Sequence, residues 1–220
     1  MYKTTLVSLA LIAGPALAQC DQDTLVAHYR LQPAAQPAQE LTLVRQGNRV
    51  ALHWPAKGIT ERWTRTRNGL LQLERLFEQH QRGIEYQPDE IAARSGERLW
   101  QLKHQLITQT ALEALPLVRQ EGEGCDLHHD RAQGDTKLVW LDGLSLLETL
   151  SAPHQQLSLV SVQTGDEEVS NWMDHWDSYQ LTDYADIGDN EQDPLLSKMI
   201  NQGFPRRPAR VQGHHHGHEH

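Results

Sequence analysis

The feature that most constrains this chain is a period-two alternation of apolar residues between positions 25 and 86, cut at short intervals by turn residues. Leu25, Ala27, Tyr29 and Leu31 share one parity, as do Leu41 and Leu43, and then Val50, Leu52 and Trp54. Successive side chains of a strand point to opposite faces, so each run has one apolar face that needs neighbouring strands to bury it. Gln46-Gly47-Asn48 and Asn68-Gly69 supply tight hairpins between such runs. Ile59 to Arg67 is β-prone, Leu71, Leu73 and Phe77 resume the alternation, and Ile84 to Tyr86 follows Arg82-Gly83. The expectation is an antiparallel meander. Its polar positions, Arg62, Arg65, Arg67 and Arg75 with Glu61, Glu74 and Glu85, read as cross-strand ion pairs on a wet face.

From Pro88-Asp89 the period changes. Leu99, Trp100, Leu102, Leu106, Ile107 and Leu115 suit an amphipathic helix starting near Ser95 and stopping before Pro116. Gln120 to Gly124 reads as a polar loop; Leu138 to Leu141, Leu144 to Leu150 and Leu157 to Val162 read as strand, turn or short helix, and strand. Asn171 to Tyr179 suits a short helix, Gly188-Asp189-Asn190 a turn, and Pro194 to Ile200 a last short helix. The predicted fold is α+β, a curved antiparallel meander packed on an amphipathic helix, followed by a disordered His-rich tail. Its expected divisions are a signal peptide over 1–18, one domain over 19–204 and the tail over 205–220. Such a sheet would leave a concave apolar face. In strand pattern, and only there, it resembles lipoprotein-sorting carriers, which implies an apolar, lipid-like or protein ligand.

The N-terminus sets the compartment. Lys3 precedes the apolar run Leu6 to Ile12, then Gly14-Pro15 and Ala16-Leu17-Ala18, the pattern of a secretory signal peptide with its cleavage site. The run is too short to span a bilayer, and no later segment approaches the roughly 20 apolar residues required, so no transmembrane segment is expected. A secreted, periplasmic chain is the expectation. There the only two cysteines, Cys20 and Cys125, should pair as a disulfide. Cys125 with His128 and His129 is a sharper alternative as a set of metal ligands.

Charge divides the chain. Residues 41–107 hold eleven Lys or Arg against seven Asp or Glu, whereas 121–193 hold two against seventeen, within a net charge of -9. No strongly basic surface survives that total, which excludes nucleic acid as a general partner. The acidic half suits solvation, cations or a basic partner protein.

The most specific chemical feature is the tail, in which His214, His215, His216, His218 and His220 crowd the last seven residues. Neutral imidazoles bind zinc, copper(II) and nickel(II), and a flexible cluster can give several nitrogens to one ion. Zinc is preferred, because three Met and two cysteines offer few soft ligands for copper(I). A second metal site could use His128, His129 and His175, the last beside Asp174 and Asp177. The acidic run from Asp183 to Asp193 lacks the ligand alternation of an EF-hand loop. No nucleophile elbow, P-loop, HExxH or dinucleotide-binding pattern is present, so a non-enzymatic metal-binding accessory or carrier is the first expectation and an apolar-ligand carrier the second.

Overall fold

The computed structural model describes residues 20–91, 96–190, 193 and 196–197. The signal-peptide segment, the His-rich tail and most of the predicted last helix lie outside them; Leu196 and Ser197 are helical. The fold is mostly strand, an open mixed sheet of twelve strands with a few short helices, broadly α+β. A first meander comprises β1 (Thr24–Pro33), β2 (Gln39–Gln46), β3 (Arg49–Trp54), β4 (Ile59–Arg65), β5 (Leu71–Phe77) and β6 (Arg82–Tyr86). Helices α1 (Gly96–His104) and α2 (Gln109–Glu113) follow. A second meander is β7 (Leu117–Glu121), β8 (His128–Gln133), β9 (Thr136–Leu141), β10 (Leu146–Ala152) and β11 (Gln155–Thr164), after which come α3 (Asp166–Asp177) and β12 (Gln180–Asp183).

The two meanders join at β1, which pairs antiparallel with β2 on one side and β11 on the other. The spatial order is β12-β6-β5-β4-β3-β2-β1-β11-β10-β9-β8-β7. Only β12 departs from an antiparallel arrangement, lying parallel to β6 with Gln180 opposite Arg82. That strand makes the sheet mixed, against the all-antiparallel expectation. Three strand connections repeat one device, a single 3-10 turn closed by a left-handed residue: Gly58 (φ 58°), Gln81 (φ 48°) and Ser145 (φ 49°).

The apolar alternation is realised as two cores. Leu25, Leu43, Leu52, Trp63, Leu73 and Tyr86 from the first meander join Leu138, Trp140 and Leu157 from the second in one buried cluster. Trp100 of α1, Leu112 of α2, Ile107 and Leu115 complete it. On the other face of the first meander, Val26, Val44, Ala51 and Leu76 pack on Val169, Met173 and Trp176 of α3. These three helix positions recur at i, i+4 and i+7, one stripe of an α-helix. Covering both faces explains why Leu41 through Arg45 are all buried, where alternation alone predicts every second residue.

The structure revises several local expectations. The single helix before Pro116 is two short ones, broken where Leu106 takes φ 63° and where the Thr108 side chain caps α2 by accepting from the Ala111 amide at 3.1 Å. Helix α3 begins five residues earlier than predicted, with Asp166, Glu167 and Glu168 in its first turn, where carboxylates suit the positive helix end. Residues 120 and 121, expected in a loop, belong to edge strand β7. The charged residues expected on one wet face divide between two. Arg62 lies opposite Glu74, which lies opposite Glu85, whereas Glu61 lies opposite Arg75 in the other phase. Arg62 is buried, paired with Glu74 and with Asp177 at the end of α3. The disulfide Cys20–Cys125 is present, with Cα atoms 5.4 Å apart, and fixes the segment before β1 to the turn before β8.

Candidate functional site

The first candidate is the apolar sheet face under α1 and α2. Fourteen helical residues, nine in α1 and five in α2, lie over it. The side chains beneath are closely packed: Tyr29, Tyr86 and Leu146 are at most 1% exposed, and Trp63 and Trp140 are 5% exposed. Within this apolar volume the Tyr29 hydroxyl and the Trp63 indole N–H have no hydrogen-bond partner among the described residues. A buried polar atom without a partner costs about 1–3 kcal/mol, so these two are places where a polar ligand atom would be favoured. Burial pushes the Tyr29 hydroxyl well above the usual phenol range, which keeps it a neutral donor.

Arg45 anchors the cover. It continues the phase of Leu41 and Leu43 on β2, so its side chain enters the interior where it is fully buried. The guanidinium donates to four backbone carbonyls: Nε to His104 (2.7 Å), one terminal nitrogen to Gln22 (3.0 Å) and Leu144 (2.8 Å), and the other to Ser145 (2.7 Å). One side chain thereby joins the C-terminal end of α1, the segment before β1 and the turn between β9 and β10. Carbonyls at a helix C-terminus carry partial negative charge, which compensates a cation held without a carboxylate. Burial lowers its pKa to about 10, opposed by Tyr29 and Asp23, so the group remains charged at neutral pH. Two exposed or half-buried ion pairs, Lys103 to Glu61 (2.9 Å) and Arg65 to Glu97 (2.7 Å), add lesser ties between α1 and β4. Burial, with Arg45 and Arg65 nearby, lowers the His104 imidazole to about 3, so it is neutral.

The second cluster sits under the C-terminal half of α3. Glu78, in the turn between β5 and β6, accepts from Tyr179 Oη (2.6 Å), Trp176 Nε1 (2.9 Å) and Thr60 Oγ1 (3.3 Å), with His175 Nε2 at 3.2 Å. Burial raises the carboxyl, but the donors Tyr179, Trp176 and His175 outweigh it and hold Glu78 below the usual carboxylate range. His53 completes the group, 2.9 Å from Thr60 Oγ1 and with its ring tilted against Trp172 at 5.5 Å between centroids; burial lowers its pKa. With Tyr179 donating to Glu78, its oxygen accepts from His175 Nε2 at 2.9 Å, which assigns the proton to that nitrogen. Most of these bonds converge on Glu78. The cluster has the chemistry of an anchor that fixes α3 to the sheet.

The predicted second metal site is not assembled. His128 and His129 are adjacent on β8, where side chains alternate between faces; His128 meets Glu148 (2.8 Å) and His129 approaches Asp142 (3.5 Å). His175 belongs to α3 and meets Glu78 near β4 and β5, which lie seven and eight strands from β8 in the sheet. No group of three or more His, Cys, Asp or Glu among the described residues can hold a metal ion. Cys125 is taken by the disulfide, which removes the Cys125-His128-His129 alternative. His214, His215, His216, His218 and His220 lie outside the described residues. Sequence reasoning missed Arg45 and Glu78. The first carried a signal, a charge in phase with inward-facing leucines; the second sits in a turn and shows its role only once α3 is placed.

No family model matches this chain, and no curated protein matches it. Among solved structures it is similar to PNGF-II, in a structure determined in space group C2, at 7% identity over 81% of this chain and 32% of that one, with a TM-score of 0.43. The chain thus spans about a third of the length of that protein. A likeness at this level carries no argument about function. No described helix is long and apolar enough to cross a membrane.

Proposed function

We propose that this chain is a secreted, periplasmic carrier that encloses an apolar or amphiphilic ligand between the sheet and the α1–α2 cover. In this reading the sheet curves around an amphipathic α1, and the cover swings to admit the ligand. One observation carries the proposal: a continuous apolar sheet face is closed by two short helices, interrupted at Leu106, instead of one long helix. The unpartnered Tyr29 hydroxyl and Trp63 indole inside that face support a ligand that brings polar atoms of its own. The Arg45 bonds hold the closed state and are made to backbone carbonyls, which water can solvate when the cover moves. Native mass spectrometry and organic extraction of the purified chain test this directly: a co-purifying amphiphile in one-to-one ratio is expected. A chain free of lipid that also takes up no added fatty acid or phospholipid contradicts it.

A second reading rests on the tail, where five of the last seven residues are histidine. We infer that it binds zinc, with copper(II) and nickel(II) competing, and lets the chain serve metal handling as an accessory. Calorimetric zinc titration of the chain beside a version ending at Arg210 separates the two: binding at pH 7.5 that vanishes on truncation assigns it to the tail. Protonation of imidazoles through about pH 6.5 should abolish it at pH 5.5.

A further inference from the structure

Strand β7 is the outermost strand at one end of the sheet, paired with β8 on one side and with no other strand on its second side among the described residues. An open edge presents N–H and C=O groups that can receive another strand. All five of its residues are exposed, and Val118 (68% exposed) is the most exposed of the large apolar side chains described. Beside it lies an open cleft of about 490 Å³, lined by Val118, Ala132 and Val139 among others.

Charge selects the partner. Arg119 and Glu121 stand two residues apart, on the same face of β7, and are ion-paired with each other. A charge on an edge strand normally repels a second copy, because a two-fold antiparallel pair brings like residues together. Two residues of opposite sign reverse this in one register. With the axis at Gln120, each Arg119 faces the other copy's Glu121, twice per interface. With the axis at Arg119, the two arginines meet and the pair is disfavoured.

We propose that β7 is a self-association edge, on which a second copy of this chain pairs antiparallel about Gln120 and continues the sheet. The regular stretch is Arg119 to Glu121, since a bulge interrupts the register between Leu117 and Arg119 and Gly122 (φ 78°) leaves the strand; with two exposed ion pairs over so short a contact the dimer is weak and weakens further with salt.

Sedimentation equilibrium of the full chain over a hundredfold range of concentration tests this, with variants Arg119→Glu, Glu121→Arg and the double exchange. Both single variants set like charges against each other across the axis and should weaken dimerisation about tenfold or more. The double exchange restores opposite signs and should return the dimer to near its original strength. All four proteins should share one melting temperature within a few degrees, since the side chains are exposed. A chain that stays monomeric throughout overturns the proposal, as does a dimer indifferent to the single variants or one that the double exchange fails to restore. Pairing of this edge with an extended peptide instead would leave the chain monomeric alone, and that outcome also overturns it.

Discussion

Arg45 Nε lies 2.7 Å from the carbonyl oxygen of His104, a hydrogen bond across 59 residues that fastens the end of α1 to the second strand of the sheet. The same guanidinium satisfies three further carbonyls, so its removal leaves four acceptors in or near the interior without their donor. Arg45→Met keeps the aliphatic stem and deletes only the donors. The expected loss is about 3 kcal/mol or more, at roughly 1–3 kcal/mol per buried acceptor left alone with partial hydration. Urea unfolding measures it, and hydrogen exchange should quicken first in α1. Arg45→Lys cannot reach four carbonyls and should recover only part of the loss.

His104 makes stability fall on acidification. Its imidazole is held neutral in the fold down to about pH 3, whereas in the unfolded chain it takes a proton near pH 6.5. Between these values the unfolded state binds more protons, so stability is fully present above about pH 6.5 and is lost as pH falls towards 3. The slope from this group approaches about 1.4 kcal/mol per pH unit. His53, also lowered by burial, acts with the same sign. Urea midpoints at pH 7.5, 6 and 5 should decline, and His104→Gln should flatten the decline.

Gly143 is required by the disulfide loop. A Cβ there would lie 2.4 Å from the Gly124 carbonyl oxygen and 2.6 Å from Cys125 Cα, both backbone atoms that cannot rotate away. Gly143→Ala should therefore displace the 124–126 turn and cost about 2 kcal/mol or more, as overpacking does elsewhere. Thermal melts check this. Reduction of Cys20–Cys125, which closes a separation of 105 residues, should lower stability by up to about 4–5 kcal/mol in the chain-entropy model.

Glu78→Gln tests whether the second cluster is an anchor. The amide is a weaker acceptor for Tyr179 and Trp176, and one of its two terminal groups is a donor aimed at donors. A loss of about 1–3 kcal/mol is expected, with faster hydrogen exchange in α3 and no change in α1. Glu78 also adds stability above the unfolded carboxylate range that is lost as pH falls through its lowered folded value.

Much of the sheet was legible in the sequence because its inner strands carry the period-two signal; β3, for example, was foretold by Val50, Leu52 and Trp54 with Gly47 before them. The edges were not. Strand β8, His-His-Asp-Arg-Ala-Gln, has no apolar alternation and is held by ladder bonds to β9 across the Gly134-Asp135 turn, which is its one local mark. Strand β12 likewise depends on β6, almost a hundred residues earlier. The pairing of Cys20 with Cys125 followed from there being only two cysteines. The candidate metal site failed for the reason that residues near in sequence on a strand point apart, and His175 lies on a helix across the sheet.

The enclosure of an amphiphile between sheet and cover is tested most directly by tryptophan quenching. Trp63, Trp100 and Trp140 face that interior and the half-buried Trp54 packs against it, whereas Trp172 and Trp176 lie with α3 on the other face. In a Trp172→Phe, Trp176→Phe variant, a fatty acid brominated in its chain, below its micellar concentration, should quench the remaining emission saturably at one equivalent. Arg45→Met should change the rate at which quenching develops. Emission that falls only linearly with quencher, as it does for tryptophan free in solution, would contradict enclosure.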